Sequence, residues 1–311
     1  MLVDNTLTFV TGVGVFLLGM IVLTEALRSA VGGRLHRFLL RFTSGRFRSV
    51  VAGVLTTTLL QSSSGTVMAV VGLAAAGCLP LMSAVGVVVG ANLGTTSTAW
   101  IMLWLGFKLN LTMIASPLVA VGALLRLGLF GRRAVPLGMP LAGFGLLFVG
   151  LSLIQAGLSE PAFTIPVALD LTGFLLLLGV GIAMTAVMQS SSVAVVTTVV
   201  ALEAGLLGLG QAAVLVVGQN LGTTSTALLA SLGSNPTGRK VAWAHVLFNG
   251  VTALIALPLL ALVLFVPLRI EPMLALAAFH TLFNLLGVLV IAPWLRGFTR
   301  LVGLRKDESS R

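Results

Sequence analysis

One segment of this chain occurs twice. Residues 61–99 open as QSSSG and close as GANLGTTSTA, and residues 189–227 open as QSSSV and close as GQNLGTTSTA. The copies align without a gap at a constant offset of 128 (189 − 61 = 218 − 90), and 22 of their 39 positions are identical. Hydrophobic drift can match valine to valine by chance. It does not match Gln-Ser-Ser-Ser and Asn-Leu-Gly-Thr-Thr-Ser-Thr twice at one spacing. The fold therefore has to place two versions of one polar unit.

The surroundings of the copies set the class. Hydrophobic residues make up 58% of the 311 and charged residues 8%, with a mean hydropathy of +1.13. Apolar runs of this length and number imply an all-α integral membrane protein, with a soluble helical protein as the remote alternative. Cys78 is the sole cysteine, so no disulfide can form within the chain. The net charge of +10 could suggest nucleic acid, but the basic residues sit at the ends of apolar runs, where the positive-inside rule accounts for them. The N-terminus, MLVDNTLTF, has no Lys or Arg, so the first run is expected to be a retained span.

Spans are expected at 7–27, 80–105, 109–129, 137–158, 206–232, 241–266 and 273–295. After the first comes a basic stretch with Arg28, Arg34, Arg37, Arg41, Arg46 and Arg48. Within it Leu35, Phe38, Leu39 and Phe42 fall on one helical face, which predicts a helix lying on the cytoplasmic surface; a solvated loop is an equal alternative. The QSSS segments, 50–77 and 171–204, are expected as re-entrant hairpins. Seven spans then place 16 of the 18 Lys and Arg residues inside, leaving Lys108 and Arg269 outside. A single crossing at each segment would instead put Arg126, Arg132 and Arg133 opposite the first basic cluster. The N-terminus is then outside, the C-terminus cytoplasmic, and the segment between Glu160 and Asp170 outside.

On that arrangement the first hairpin enters from the cytoplasm and the second from outside. Inverted repeats with interrupted apolar segments at matching positions are the signature of a secondary transporter, with substrate bound where the repeats meet. The expected organisation is one transmembrane domain over 1–311, with repeat one at about 7–130, repeat two at about 137–266 and an extra span at 273–295. A shorter echo, AHVLFN and FHTLFN, links His245 to His280 at an offset of 35.

Neutral polar side chains are expensive in hydrocarbon, so a dense cluster at membrane depth points to function. Hydroxyls and amides can donate to an oxyanion while their oxygens coordinate a hard cation such as sodium. Gly94 and Gly222 suggest that a helix breaks and restarts, offering free N–H groups to an anion. Close helix packing by small residues is the competing explanation, and the duplication of Gln and Asn at fixed spacing weighs against it. For His245 and His280, a hydrogen bond to a neighbouring helix is expected ahead of proton relay. Glu25 and Glu203 are expected to be interfacial. No base sits at a helical spacing from Ser62–Ser64, which disfavours a serine-nucleophile enzyme.

Paired QSSS motifs, each followed by a G-x-N-L-G-T-T segment, resemble the sodium-dependent phosphate cotransporters, the type II Na/Pi symporters and their bacterial relatives, over roughly residues 7–295. The resemblance implies phosphate as substrate, sodium as coupling ion and two opposed hairpins around the site. Carried over by motif, Gln61, Ser62, Ser63 and Ser64 with Gln189, Ser190, Ser191 and Ser192 would line it. Asn92, Thr95, Thr96, Asn220, Thr223 and Thr224 would add ligands. Sodium would be shared among Gln61, Ser64, Gln189, Ser192 and the threonines, without individual assignment. Two features depart from the pattern. Many relatives continue into a domain resembling PhoU, whereas this sequence stops at Arg311, and Gly65 is matched by Val193.

Moving one charge against the membrane potential is worth ~2.3 kcal/mol per 100 mV, so importing divalent phosphate requires at least two sodium ions for electrical balance. The expectation is sodium-coupled phosphate symport by alternating access in a bacterial cytoplasmic membrane, with no other cofactor. The partners expected are phosphate, sodium and the bilayer, with a homodimer left open and no nucleic acid. The rivals are another oxyanion, phosphate export, or a non-transporting receptor or scaffold.

Overall fold

The computed structural model describes residues 2–43, 45–104, 112–157, 167–265 and 269–303. Regular structure among them is helical, as apolar segments in lipid demand, because a helix satisfies its backbone within one segment. In chain order the helices are α1 (Leu2–Phe42), α2 (Arg46–Leu60), α3 (Ser63–Ala75), α4 (Leu81–Thr95), α5 (Ser97–Ile101), α6 (Thr112–Arg126) and α7 (Val135–Gly157). Then follow α8 (Leu171–Met188), α9 (Ser191–Glu203), α10 (Leu209–Gly222), α11 (Thr224–Ser231), α12 (Pro236–Phe265), α13 (Pro272–Ile291) and α14 (Leu295–Gly303).

Seven helical stretches are long and apolar enough to cross a membrane: Asn5–Leu27, Leu81–Trp104, Val135–Gly157, Leu171–Met188, Leu209–Ser231, Pro236–Phe265 and Pro272–Ile291. The number agrees with the sequence expectation, but the membership differs in one place. Leu171–Met188, expected as a hairpin arm, is itself 18 residues long, whereas α6 within the expected span 109–129 has only 15. Lys108, Glu160, Arg305 and Lys306, and the expected span ends Leu105, Leu109, Leu158 and Val266, lie outside the described residues.

The basic stretch after the first span is neither a loop nor a separate surface helix. α1 runs unbroken for 41 residues, about twice what a bilayer core needs at ~1.5 Å per residue. Nothing between Leu27 and Phe42 stops it, since no proline intervenes. Leu39 is fully buried and joins Val67, Val70, Val87 and Val88 in one core cluster, while Phe42 is half exposed.

The chain divides into two compact units. The first comprises 1–32, 99–166 and 196–208. There α7 packs between α1 and α6 at near-contact backbone distance. A Cβ added to Gly19 or Gly143 would come within 2.5 Å of the backbone nitrogen of Leu147 or Leu23, and one on Gly122 within 2.5 Å of that of Ala142. Small residues at the crossing points are the usual route to helix association in lipid.

The second unit comprises 33–98, 167–195 and 209–311 and holds both QSSS segments and both NLGTTST segments. Its internal contacts repeat at the sequence offset. α2 packs on α4 as α8 packs on α10. A Cβ on Gly53 would meet Val87 O at 2.1 Å and one on Gly181 would meet Leu215 O at 2.3 Å; Gly90 and Gly218 approach Val50 O and Leu178 O in the same way. Local backbone geometry repeats as well: Gly77 in this unit and Gly205, in the stretch 196–208 of the first, both have φ 72°, the left-handed position that glycine takes without penalty. α12 and α13 pack on each other and on α4 and α10. α14 closes this unit by burying Leu295, Phe298 and Val302 against Val50, Val85 and Phe248.

Candidate substrate site

Each copy of the motif begins with a strained residue. Gln61 (φ 50°, ψ 32°) and Gln189 (φ 51°, ψ 23°) end α2 and α8 in the left-handed region, the two non-glycine residues with positive φ among those described. That conformation costs a residue with a Cβ about 1–2 kcal/mol, and such strain tends to be stored at functional sites. It also reverses the chain. Thr57 Oγ1 donates to Thr66 Oγ1 at 3.1 Å, although residues nine apart on a straight helix would be separated by roughly 13 Å. Residues 46–75 therefore form a helical hairpin with Gln61 and Ser62 at its tip.

The returning arms start at the tips. Ser62 is the N-cap of α3 and accepts from the Gly65 N–H at 3.1 Å; Ser190 Oγ accepts from the Val193 N–H at 3.4 Å. Serine suits these positions because its hydroxyl satisfies one of the N–H groups that a helix start leaves unpaired. The first helical residues, Ser63 and Ser191, place their hydroxyl oxygens 3.3 Å apart. Two helix N-termini, each carrying about half a positive charge, thus converge on one point.

Further contacts lock the copies together. Ser64 Oγ donates to Gln189 O at 3.2 Å. Thr98 Oγ1 donates to Gln61 Oε1 at 3.0 Å and lies 3.1 Å from Ser192 Oγ. Gln61 Nε2 donates to Thr58 O at 2.6 Å and to Ser97 Oγ at 3.2 Å, whereas Gln189 is exposed and donates to Ala186 O within its own turn. Ser62, Ser63, Ser64, Ser191 and Ser192 are all buried.

The second motif segment behaves differently from expectation. The helix does not restart at Gly94 or Gly222. Thr96 (φ −64°, ψ −21°) and Thr223 (φ −59°, ψ −22°) keep right-handed helical geometry, and the Thr223 N–H still reaches Gln219 O. These positions therefore offer no free helix start to an anion. The glycines serve close packing instead: a Cβ on Gly94 would lie 2.8 Å from Thr57 Cβ, and one on Gly222 would lie 2.9 Å from Thr185 Cβ. The free helix starts are those of α3 and α9.

The remaining motif residues turn inward on their own helices. Thr95 donates to Ala91 O, Thr96 to Leu93 O, Thr223 to Asn220 O and Thr224 to Leu221 O, while Asn92 Nδ2 donates to Val88 O. The threonine hydroxyls have spent their donors, but each side-chain oxygen keeps lone pairs for a cation. Asn220 instead crosses to α12, donating to Asn249 Oδ1 at 2.7 Å and Thr252 Oγ1 at 3.1 Å. Thr98, Ser97, Asn249 and Thr252 are absent from the set carried over by motif. The AHVLFN echo was the available pointer to Asn249.

The histidines depart from expectation. His245 is buried with no hydrogen-bond partner at either ring nitrogen, and Nδ1 of buried His280 also has none. What their turns do provide are backbone carbonyls, which accept from Asn249 Nδ2 and Asn284 Nδ2 at 3.0 Å.

The converging groups are hydroxyls, amides and helix-start N–H groups. Such a set can grip an oxyanion and hold a hard cation beside it.

Comparison with known proteins agrees with this chemistry. The sequence model of the family described as Na+/Pi-cotransporter matches residues 15–156 and 172–292. YqeW of Bacillus subtilis (strain 168) is 30% identical over 298 residues, covering 93% of this chain and 94% of YqeW. The "Putative inorganic phosphate export protein YjbB" of Escherichia coli (strain K12) is 32% identical over 292 residues, covering 90% of this chain and 52% of YjbB. The chain thus spans about half the length of YjbB. No solved structure matches.

Proposed function

Because this chain belongs to the Na+/Pi-cotransporter family, a family of transporters, we propose that it moves inorganic phosphate across the cell membrane by sodium-coupled symport. Phosphate binds between the N-termini of α3 and α9, and the facing Ser63 and Ser191 hydroxyls, 3.3 Å apart, are the observation that carries this reading. Gln61, Ser62, Ser64, Gln189, Ser190 and Ser192 complete the cradle. Sodium sits among the side-chain oxygens of Gln61, Ser64, Gln189, Ser192, Asn92, Asn220 and the motif threonines Thr95, Thr96, Thr223 and Thr224. Its charge neutralises phosphate where the described motif residues supply no cationic side chain.

The repeats are inverted across the membrane and exchange access to the site, with the N-terminus outside and the C-terminus cytoplasmic. The contacts repeated at offset 128 and the distribution of Lys and Arg support that arrangement.

The test is radiolabelled phosphate uptake into proteoliposomes under an inward sodium gradient, against a matched potassium gradient. Sodium-dependent accumulation that Gln61→Ala reduces at least tenfold is the expected result. Equal uptake under both gradients would sink the sodium coupling. The name of the relative YjbB favours a second reading, phosphate export. Vesicles preloaded with phosphate that lose it faster than control vesicles, with no sodium-driven uptake, would establish that direction.

A further inference from the structure

The first unit carries a cavity that has no part in the paired serine site. It has a volume of about 400 Å³ and is lined by Val22, Glu25 and Ala26 of α1, Arg126 of α6, and Val135 and Met139 of α7, among others. Volumes of ~300–1,000 Å³ are those of small-ligand sites. Its position is defined by the helices. Glu25 is two residues from the end of the apolar stretch Asn5–Leu27, Arg126 ends α6, and Val135 opens the stretch Val135–Gly157. Close contacts fix these three helix ends together, since a Cβ on Gly143 would lie 2.5 Å from Leu23 N and one on Gly138 would lie 2.6 Å from Arg126 N. The cavity thus sits where apolar helices leave the membrane, at the depth of lipid headgroups.

Its chemistry is bipolar. The walls are mostly aliphatic, one side bears a carboxylate and another a guanidinium, and both charged residues are exposed. A guanidinium matches a phosphodiester through two parallel N–H donors. A carboxylate matches a primary ammonium, which donates three hydrogen bonds; a quaternary choline has no N–H to give. A lipid with only negative headgroup charge would set that charge beside Glu25.

We propose that this cavity binds the headgroup of a phospholipid with a primary amine, of the phosphatidylethanolamine class, with phosphate on Arg126, ammonium on Glu25 and the first acyl carbons against Val22, Val135 and Met139. The site is independent of the transport reading.

Native mass spectrometry of the detergent-purified chain tests it, using phosphatidylethanolamine, phosphatidylcholine and phosphatidylglycerol with identical acyl chains at matched concentration. The ethanolamine lipid should be retained several-fold more than either of the others. Glu25→Gln and Arg126→Gln should each bring it down to the level of the choline lipid without lowering the melting temperature. Ala26→Trp, which fills the cavity, should do the same to retention. Excess soluble phosphoethanolamine should leave the bound lipid in place. Equal retention of the three lipids, an unchanged preference in Glu25→Gln, or displacement by the soluble headgroup would overturn the proposal.

Discussion

Gln61 and Gln189 combine two roles that a sequence cannot separate. Their amides reach hydrogen-bonding partners at the hairpin tips, and their backbones occupy the left-handed region. Glycine would relieve the strain and remove the amide. Gln61→Gly and Gln189→Gly are therefore expected to melt at or above the wild-type temperature, since the strain is worth about 1–2 kcal/mol, while phosphate uptake falls at least tenfold. A stable variant with normal uptake would show that the amides are not ligands. At this scale the sequence identified the polar residues because their duplication is improbable in an apolar chain. It could not show that Thr95, Thr96, Thr223 and Thr224 spend their donors on their own helices, because both outcomes have the same residue types at the same spacing.

Between elements, the copies are close but unequal. In the first hairpin Thr57 is bonded to Thr66 across the arms; in the second copy, Ala194 stands at the matching position and the Thr185 hydroxyl is buried without a partner. Gln219, where the first copy has Ala91, donates instead to Ala194 O at 3.0 Å and ties α10 to α9. Thr66→Ala should cost about 1 kcal/mol, and Ala194→Thr, which restores the missing pair, should raise the melting temperature. A fall on Ala194→Thr would mean that the second hairpin cannot accommodate a staple.

The glycine contacts belong to the same scale. Gly53→Ala and Gly181→Ala each push a methyl against a carbonyl of the facing helix and should destabilise by roughly 1–3 kcal/mol. Gly72→Ala and Gly179→Ala, with nothing within 4 Å, should be neutral. The sequence showed where the first helical reversal lies, at Gln61 and Ser62. It misplaced the second helix break because glycine before Thr-Ser-Thr looks the same whether it permits a restart or a close crossing. It also ended α1 early, because the charges that leave the membrane after Leu27 do not end a helix.

The molecule as a whole was legible as a membrane protein from hydropathy, and as a duplicated one from two short motifs. Its division into two compact units was not, since the first unit draws on three separated stretches of chain. The orientation of the repeats makes a separate prediction: an epitope inserted between Glu160 and Asp170 should be accessible from outside intact cells, and cytoplasmic accessibility would exclude inverted repeats.

The central claim is that the two copies form one phosphate site at Ser63 and Ser191. The most direct test is oxidative cross-linking of Ser63→Cys/Ser191→Cys in a chain also carrying Cys78→Ala, which removes the exposed native thiol. Rapid disulfide formation is expected, slowed severalfold by phosphate with sodium and much less by phosphate with potassium. Failure to cross-link in a folded protein, or a rate indifferent to phosphate, would contradict it.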